Sequence, residues 1–446
     1  MKLVVSGATA AAGPLATGQR YIWRAVERLA PQDQHMNLRA VLPVPPGVEV
    51  HTVLGVLTSA VSRCEALRTT YEYAESGEPR QVVHGDGVLP VTVATAGPGE
   101  ARQIAEKLSR ELAGTSFDRF GAWPLRLGLV QGDAEGLYVV LVLAHLATDG
   151  GGVAALSEVL RTSWQRPAHA DAVLSLIRQP LAQAEFERSA EGIALHDRAL
   201  KHWRQTLTKF PAVPSRPRLT PHEPRFLRGE FTSPCLARAA TLLAARSGVS
   251  AQFVLLAATA LALTARSGGD RCGITVISSN RHRPELKNAV LHLAQRVPVV
   301  LSLRHGSFDD LAKHACAVTL NASRYGLYPP ERIRDLVREI RESRTDEIDS
   351  ETTFNGMSRT MGHQPASEQD PGGERSWAEL REAGSFSWTN RNDNEPDGLR
   401  FVDFFAPDRL RMYADTRLVS AQQIEAFGTE VESILVDAVE GRHPRP

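Results

Sequence analysis

Apolar positions in this chain follow two periods that alternate from end to end, a period of two or an unbroken run for strands and a period near 3.6 for helices. The plainest run is residues 137–143, continuous and rich in β-branched Val, which predicts a strand buried on both faces. It passes through Ala144, His145, Leu146, Ala147 and Thr148 to Asp149 and then Gly150, Gly151 and Gly152. Val153, Leu156, Val159 and Leu160 then share one side of a predicted helix. Before this stretch, residues 38–42, 80–83 and 127–130 read as strands and 52–67 and 100–112 as amphipathic helices. Residues 20–23 read as a helix with an aromatic anchor.

Helices resume over 181–207, and prolines at 211, 214, 217, 221 and 224 then preclude a helix or central strand, predicting an extended linker. Beyond it come a strand at 228–231, a helix at 236–246 and a nearly all-apolar helix at 251–266, expected to lie buried against a sheet. A strand at 272–278, helices at 307–323 and 330–342, and strands at 386–389 and 399–405 follow. Residues 343–375 are polar, with a Gly-Pro-rich centre at 362–373, and are expected to form a mobile loop. Ser420 and Gln423 form a capping box for a last helix that buries Ile424, Phe427, Val431, Ile434 and Leu435.

The pattern predicts an α/β chain, and its 446 residues exceed what one hydrophobic core serves. The expected division is an N-terminal domain over 1–209, a linker over 210–228 and a C-terminal domain over 229–446. The two halves have similar strand and helix content, as two related units would.

Charge narrows the classes of partner. Lys plus Arg and Asp plus Glu both total 51, so no net charge draws the chain to nucleic acid or to a membrane surface. The longest apolar segment, 253–263, is too short to span a bilayer, and the N-terminus does not read as a signal peptide. Cys64, Cys235, Cys272 and Cys316 lie far apart with no metal-ligand spacing, as expected of reduced thiols in a cytoplasmic protein.

The candidate chemistry sits where the central strand ends. A His delivered into a Gly-rich turn at a sheet edge is placed to act as a base, since its unperturbed pKa is near neutrality. The same residues also fit a core histidine beside an aspartate that caps the following helix. No G-x-S-x-G is present, which disfavours a serine hydrolase.

This stretch resembles the H-H-x-x-x-D-G signature of nonribosomal peptide synthetase condensation domains, with Ala144 in place of the first His and His145 at the second, functional one. Further segments resemble the same family in the same order. Pro14, Leu15, Gln19 and Trp23 match P-L-x-x-x-Q-x-x-x-W. Arg63, Glu65, Leu67, Arg68 and Thr69 match R-H-E-x-L-R-T, with Cys64 replacing His. Phe117-Asp118 and Pro124-Leu125-Arg126 match F-D and P-L-R. Later, Arg281, Pro284, Glu285 and Leu286 match G-R-x-x-P-E-L with Asn280 replacing Gly. The stretch 290–300 resembles V-G-x-F-x-N-x-x-P with Leu291 and Gln295 replacing Gly and Asn.

The resemblance implies two chloramphenicol-acetyltransferase-like domains forming a V-shaped pseudo-dimer with a tunnel at their junction. It implies acyl transfer from a carrier-protein thioester to an amine or hydroxyl, the substrates riding on the phosphopantetheine of acyl or peptidyl carrier proteins. The acceptor is a small molecule or sits on a second carrier protein. No bound cofactor, no metal and a monomer are expected. With no adenylation, thioesterase or carrier segment seen, a stand-alone condensation enzyme acting in trans is expected. His145 is the implied catalytic residue. Asp149 is implied to pair with Arg281 across the domain junction, or else to cap the next helix. Gly150, Gly151 and Gly152 either bring backbone amides to the reacting carbonyl or form only a turn. Ala144 departs from the pattern, so a degenerate domain that docks carrier proteins or tailoring enzymes is a second reading. A free-coenzyme-A acyltransferase is a third.

Overall fold

The computed structural model describes residues 1–132, 136–212, 218–265, 268–356, 375–395 and 399–442. These form two compact units. The first is Met1–Leu195 together with Ser279–Ala294, and the second takes His196–Ser278 and the described residues from Gln295 onward. The division therefore falls inside the helix Ala190–Leu207. Ser279–Ala294, which a boundary at 210–228 would assign to the C-terminal half, goes with the first unit.

In the first unit the strands are β1 (Lys2–Val5), β2 (Ala11–Pro14), β3 (Leu38–Pro43), β4 (Thr69–Tyr73), β5 (Pro79–Val83), β6 (Gly87–Ala96), β7 (Leu125–Gly132) and β8 (Gly136–Leu143). A five-stranded sheet runs β1-β6-β7-β8-β3 and a smaller one β2-β5-β4. The helices are α1 (Thr17–Leu29), α2 (Val50–Arg63), α3 (Ala101–Ala113), α4 (Gly150–Gln165), α5 (Ala170–Leu174) and α6 (Pro180–Arg188). β8 is antiparallel to both β7 and β3. Its successive residues alternate between two cores. Val139, Leu141 and Leu143 join Val56, Leu57 and Val61 of α2 and Leu156 and Leu160 of α4. Val140 and Val142 meet Ala105 and Leu108 of α3. None of the five is more than 1% exposed, so each gains about 1.5–3 kcal/mol by leaving water.

The helix expected over 52–67 ends at Arg63. Cys64 leaves helical geometry, and a 3-10 turn, Glu65–Arg68, leads into β4. Arg68 stabilises the break by donating from Nε to the carbonyl of Ser62, 3.1 Å away. β1 and β6 are additional to the sequence reading. Leu3 and Val5 are buried while Val4 is exposed, so β1 shows only two inward residues for a pattern to detect.

The second unit holds β9 (Phe226–Thr232), β10 (Arg271–Ser278), β11 (Gln295–Ser302), β12 (Thr352–Asn355), β13 (Ser385–Asn392), β14 (Arg400–Ala406) and β15 (Arg409–Asp415), in sheet order β11-β10-β12-β14-β15-β9-β13. After α7, the helix Ala190–Leu207, come α8 (Pro234–Ser247), α9 (Ala251–Thr264), α10 (Phe308–Ser323), α11 (Pro330–Ser343), α12 (Trp377–Glu382) and α13 (Ala421–Val439). α9 is apolar on all sides and buried along nearly its whole length. α13 carries the capping box at Ser420 and Gln423.

Part of the loop expected over 343–375 is a strand. β12 lies between β10 and β14 and is parallel to both, and the Thr275 hydroxyl meets the Thr353 hydroxyl (2.9 Å) and donates to the Thr352 carbonyl (3.0 Å). A strand of four residues whose inward threonines are polar gives no hydrophobic alternation to read. The loop's Gly-Pro-rich centre at 362–373 lies outside the described residues, as do positions 213–217 of the Pro-rich stretch. Among the described residues no single helix is long and apolar enough to cross a membrane.

Candidate active site

β8 ends where the main-chain N–H of Ala144 donates to the carbonyl of Pro124 (3.0 Å), and a turn closes from Ala147 N–H to the Ala144 carbonyl (3.0 Å). This turn sets His145 at the strand end, partly buried, with Nδ1 3.0 Å from the carbonyl oxygen of Thr148. A carbonyl can only accept, so Nδ1 carries the proton and the neutral ring keeps Nε2 as its acceptor. Burial first, then the neighbouring His292, push the His145 pKa down to about 4, against the opposing pull of the Thr148 carbonyl and Asp149. At neutral pH the ring is uncharged.

His292 is 1% exposed and arrives on the segment Ser279–Ala294. Its ring centroid lies 4.9 Å from that of His145, at 61°. Its Nδ1 is 3.0 Å from the main-chain carbonyl of His145 and its Nε2 is 3.1 Å from that of Ala294. Tyr21 of α1 stacks at 6.5 Å. Burial lowers the His292 pKa, opposed by Asp149 and by the carbonyls its nitrogens face.

Asp149 does two jobs. Its backbone is extended (φ −117°, ψ −179°), as an N-cap residue requires, and Oδ1 accepts from the Gly152 N–H at 2.8 Å. The same oxygen is 2.8 Å from Nη1 of Arg281, while Oδ2 accepts the main-chain N–H groups of Leu293 and Ala294, each at 2.8 Å. Burial alone would raise the pKa of this carboxyl. Arg281, His292 and the main-chain donors outweigh burial and hold it well below the usual carboxylate range. The capping role and the Arg281 pairing thus coexist, and both residues lie within the first unit and not across a junction.

Arg281 ties its own segment together. Nη1 also donates to the Ser279 carbonyl (3.1 Å), and Nη2 donates to the carbonyls of Ala289 (3.1 Å) and Leu291 (2.9 Å). Two of the three glycines make room for it. A Cβ on Gly151 would fall 2.6 Å from Nη1 of Arg281, and one on Gly152 would fall 2.0 Å from the Thr148 hydroxyl. Gly150 and Gly151 open α4, where N–H groups have no intrahelical partner.

The departure at Asn280 has a local explanation. Asn280 has φ 56°, a left-handed conformation that Asn tolerates better than other side-chain-bearing residues, and its amide donates to the Leu293 carbonyl at 2.7 Å. Glycine in that place could not make this bond. Ala144 lines a cavity of about 20 Å³ together with His145, Tyr71, Asn37, Thr69 and Pro124, room for one water. Cys64 is buried and its thiol is pushed up to about 12, so it stays neutral.

The structure thus brings together His145, Asp149, Gly150, Gly151 and Arg281. It adds Thr148, which sets the His145 tautomer, the amides of Leu293 and Ala294, and His292. The signal for His292 is faint but present, since it is a histidine set between Leu291 and Leu293 in an otherwise apolar run.

The sequence matches the Condensation domain family over residues 11–383. It is 28% identical over 345 residues to the phosphinothricin tripeptide synthetase PhsC of Streptomyces viridochromogenes, covering 74% of this chain and 31% of that protein. The chain thus spans less than a third of the length of that relative. Its fold is similar to the SgcC5 protein from Streptomyces globisporus, with a TM-score of 0.68 at 18% identity over 97% of this chain and 100% of the other. It is also similar to the first condensation domain of the calcium-dependent antibiotic synthetase, with a TM-score of 0.64 at 17% identity over 96% and 97%.

Proposed function

Since this chain belongs to the condensation-domain family, whose fold is α/β and chloramphenicol-acetyltransferase-like, we propose that it catalyses acyl transfer from a carrier-protein thioester to an amine or hydroxyl, forming an amide or ester. The observation that carries this reading is the state of His145: Nδ1–H is committed to Thr148, and Nε2 remains a neutral acceptor at the end of β8.

A thioester is already activated, so the task is orientation, one proton and charge on the carbonyl oxygen. As the acceptor's nitrogen or oxygen bonds to the acyl carbon, Nε2 of His145 takes the proton it loses. Collapse breaks the C–S bond and the proton passes to the departing phosphopantetheine thiolate. An amine becomes strongly acidic only once the new C–N bond has formed. A weak, well-aimed base therefore suffices, which suits a ring whose pKa is near 4. The α4 N-terminus at Gly150 and Gly151 supplies donors suited to the developing oxyanion. Asp149 and Arg281 hold the turn in place. No bound cofactor or metal has a part in this scheme.

Ala144 favours one other reading, a domain that docks carrier proteins without turnover. The test supplies the purified chain with a separate, acyl-loaded carrier protein and an acceptor. Product, with the loaded carrier strongly preferred over acyl-coenzyme A, supports the proposal. Carrier binding without product supports docking. Efficient turnover of acyl-coenzyme A alone overturns the carrier-dependent reading.

A further inference from the structure

We propose that His292 is the positioning residue of this site: its hydrogen bond to the main-chain carbonyl of His145, and the contact between the two rings, fix the strand end and with it the aim of the His145 imidazole. The proposal rests on the acyl-transfer reading for its kinetic arm, and on geometry alone for its structural arm.

His145 sits in the turn that follows β8, beyond the ladder that holds 136–143. Its carbonyl would be an unmade bond at a buried strand end without a donor, at a cost of about 1–3 kcal/mol. His292 faces it at 3.0 Å. The other ring nitrogen faces the Ala294 carbonyl at 3.1 Å, and the N–H of that same residue donates to Asp149 at 2.8 Å. A neutral imidazole carries one N–H, and in this proposal it sits on Nδ1, toward the His145 carbonyl and not toward Ala294. The neighbouring position, Ala144, supplies no polar side chain to do this.

The ring contact has a second effect. Two imidazoles with centroids 4.9 Å apart do not both charge readily, so His292 adds to the burial that keeps His145 uncharged at neutral pH. The groups facing His292 are His145 beyond β8, Asp149 at the head of α4, which attracts a proton to the ring, and Tyr21 of α1.

Two variants separate the roles. His292→Asn places an amide N–H near the position of Nδ1 and keeps the donor to residue 145. His292→Phe keeps a ring and removes the donor. At matched folded fraction, His292→Phe is expected to lower kcat roughly tenfold or more with KM within about twofold, and His292→Asn to retain most of kcat. Histidine-selective 15N NMR of the unliganded chain reads His145 directly and needs no substrate. His145 is expected as the Nδ1–H tautomer in the wild type and in His292→Asn, and as a mixture of tautomers in His292→Phe. Its titration should move up in both variants as the facing imidazole is lost.

Unchanged kcat in His292→Phe, or an Asn variant as impaired as Phe, overturns the proposal. If the Phe variant does not fold, the Asn variant decides alone: retained kcat and tautomer support the role, and loss of both overturns it. If the wild type yields no product with any loaded donor, the acyl-transfer reading fails. The NMR comparison still decides this one, and His145 signals identical in wild type and variants overturn it.

Discussion

Arg281 lies with Nη1 2.8 Å from Oδ1 of Asp149, in a space that exists because residue 151 has no side chain. The pair is nearly dry, with side-chain exposures of 9% and 1%. Its worth is therefore felt mainly when one partner is removed.

Arg281→Ala should destabilise the chain by about 3–5 kcal/mol, because it strands the Asp149 carboxylate and releases three carbonyls at once. Asp149→Asn should destabilise as well, because an amide oxygen kept toward Gly152 turns its NH2 onto the N–H groups of Leu293 and Ala294. Chemical denaturation of both single variants and the double variant measures the coupling. Strict additivity would refute the pairing.

The glycines give a contrast with the ordinary rule. Replacing Gly by Ala inside a helix normally stabilises it by up to about 1 kcal/mol. At Gly151 and Gly152 the added methyl meets Arg281 and Thr148, so Gly151→Ala and Gly152→Ala should each destabilise, by about 1–3 kcal/mol. Melting temperatures at or above wild type in both variants would show that the cradle is not needed.

Acid should act in two stages. His145 and His292 have folded pKa values depressed below the unfolded value of about 6.5, so the unfolded chain binds more protons as pH falls from there and stability declines toward pH 4. Asp149, also depressed, contributes stability that is complete above its unfolded pKa of about 3.9 and is lost as pH falls through its lower folded value. Melting temperature against pH should therefore show a first decline that His145→Ala shrinks and a second that Asp149→Asn shrinks. The acid limb of kcat/KM should lie near 4, and a limb near 6.5 would contradict a desolvated His145.

Much of this arrangement could be read from residues alone. The unbroken apolar run of β8 was readable because both faces of that strand are packed, by α2 and α4 on one side and α3 on the other. His145, Asp149 and Arg281 were readable through the family pattern. His292 leaves only a faint mark in the sequence, because its role depends on Ser279–Ala294 joining the first unit, a tertiary return that no local period encodes. β6 is hard to read for another reason: Pro90 sits within it and Val93 is exposed, which obscures the alternation. Asn280 looked like a lost glycine, yet φ 56° and its bond to Leu293 show the same backbone need met by another residue.

Restoring the family pattern with Ala144→His should crowd the site. The cavity beside Ala144 has room for about one water, so an imidazole there must displace neighbours such as Tyr71 or Pro124, at about 1–3 kcal/mol. An unchanged melting temperature would mean that the new ring finds open space instead.

The central claim is that His145 handles the proton in acyl transfer, and His145→Ala tests it most directly. Product formation from a loaded carrier protein is measured at matched folded fraction, with carrier binding and melting temperature followed in parallel. The account predicts turnover lower by roughly a hundredfold or more, with carrier binding retained. A well-folded His145→Ala variant that turns over at the wild-type rate would contradict it.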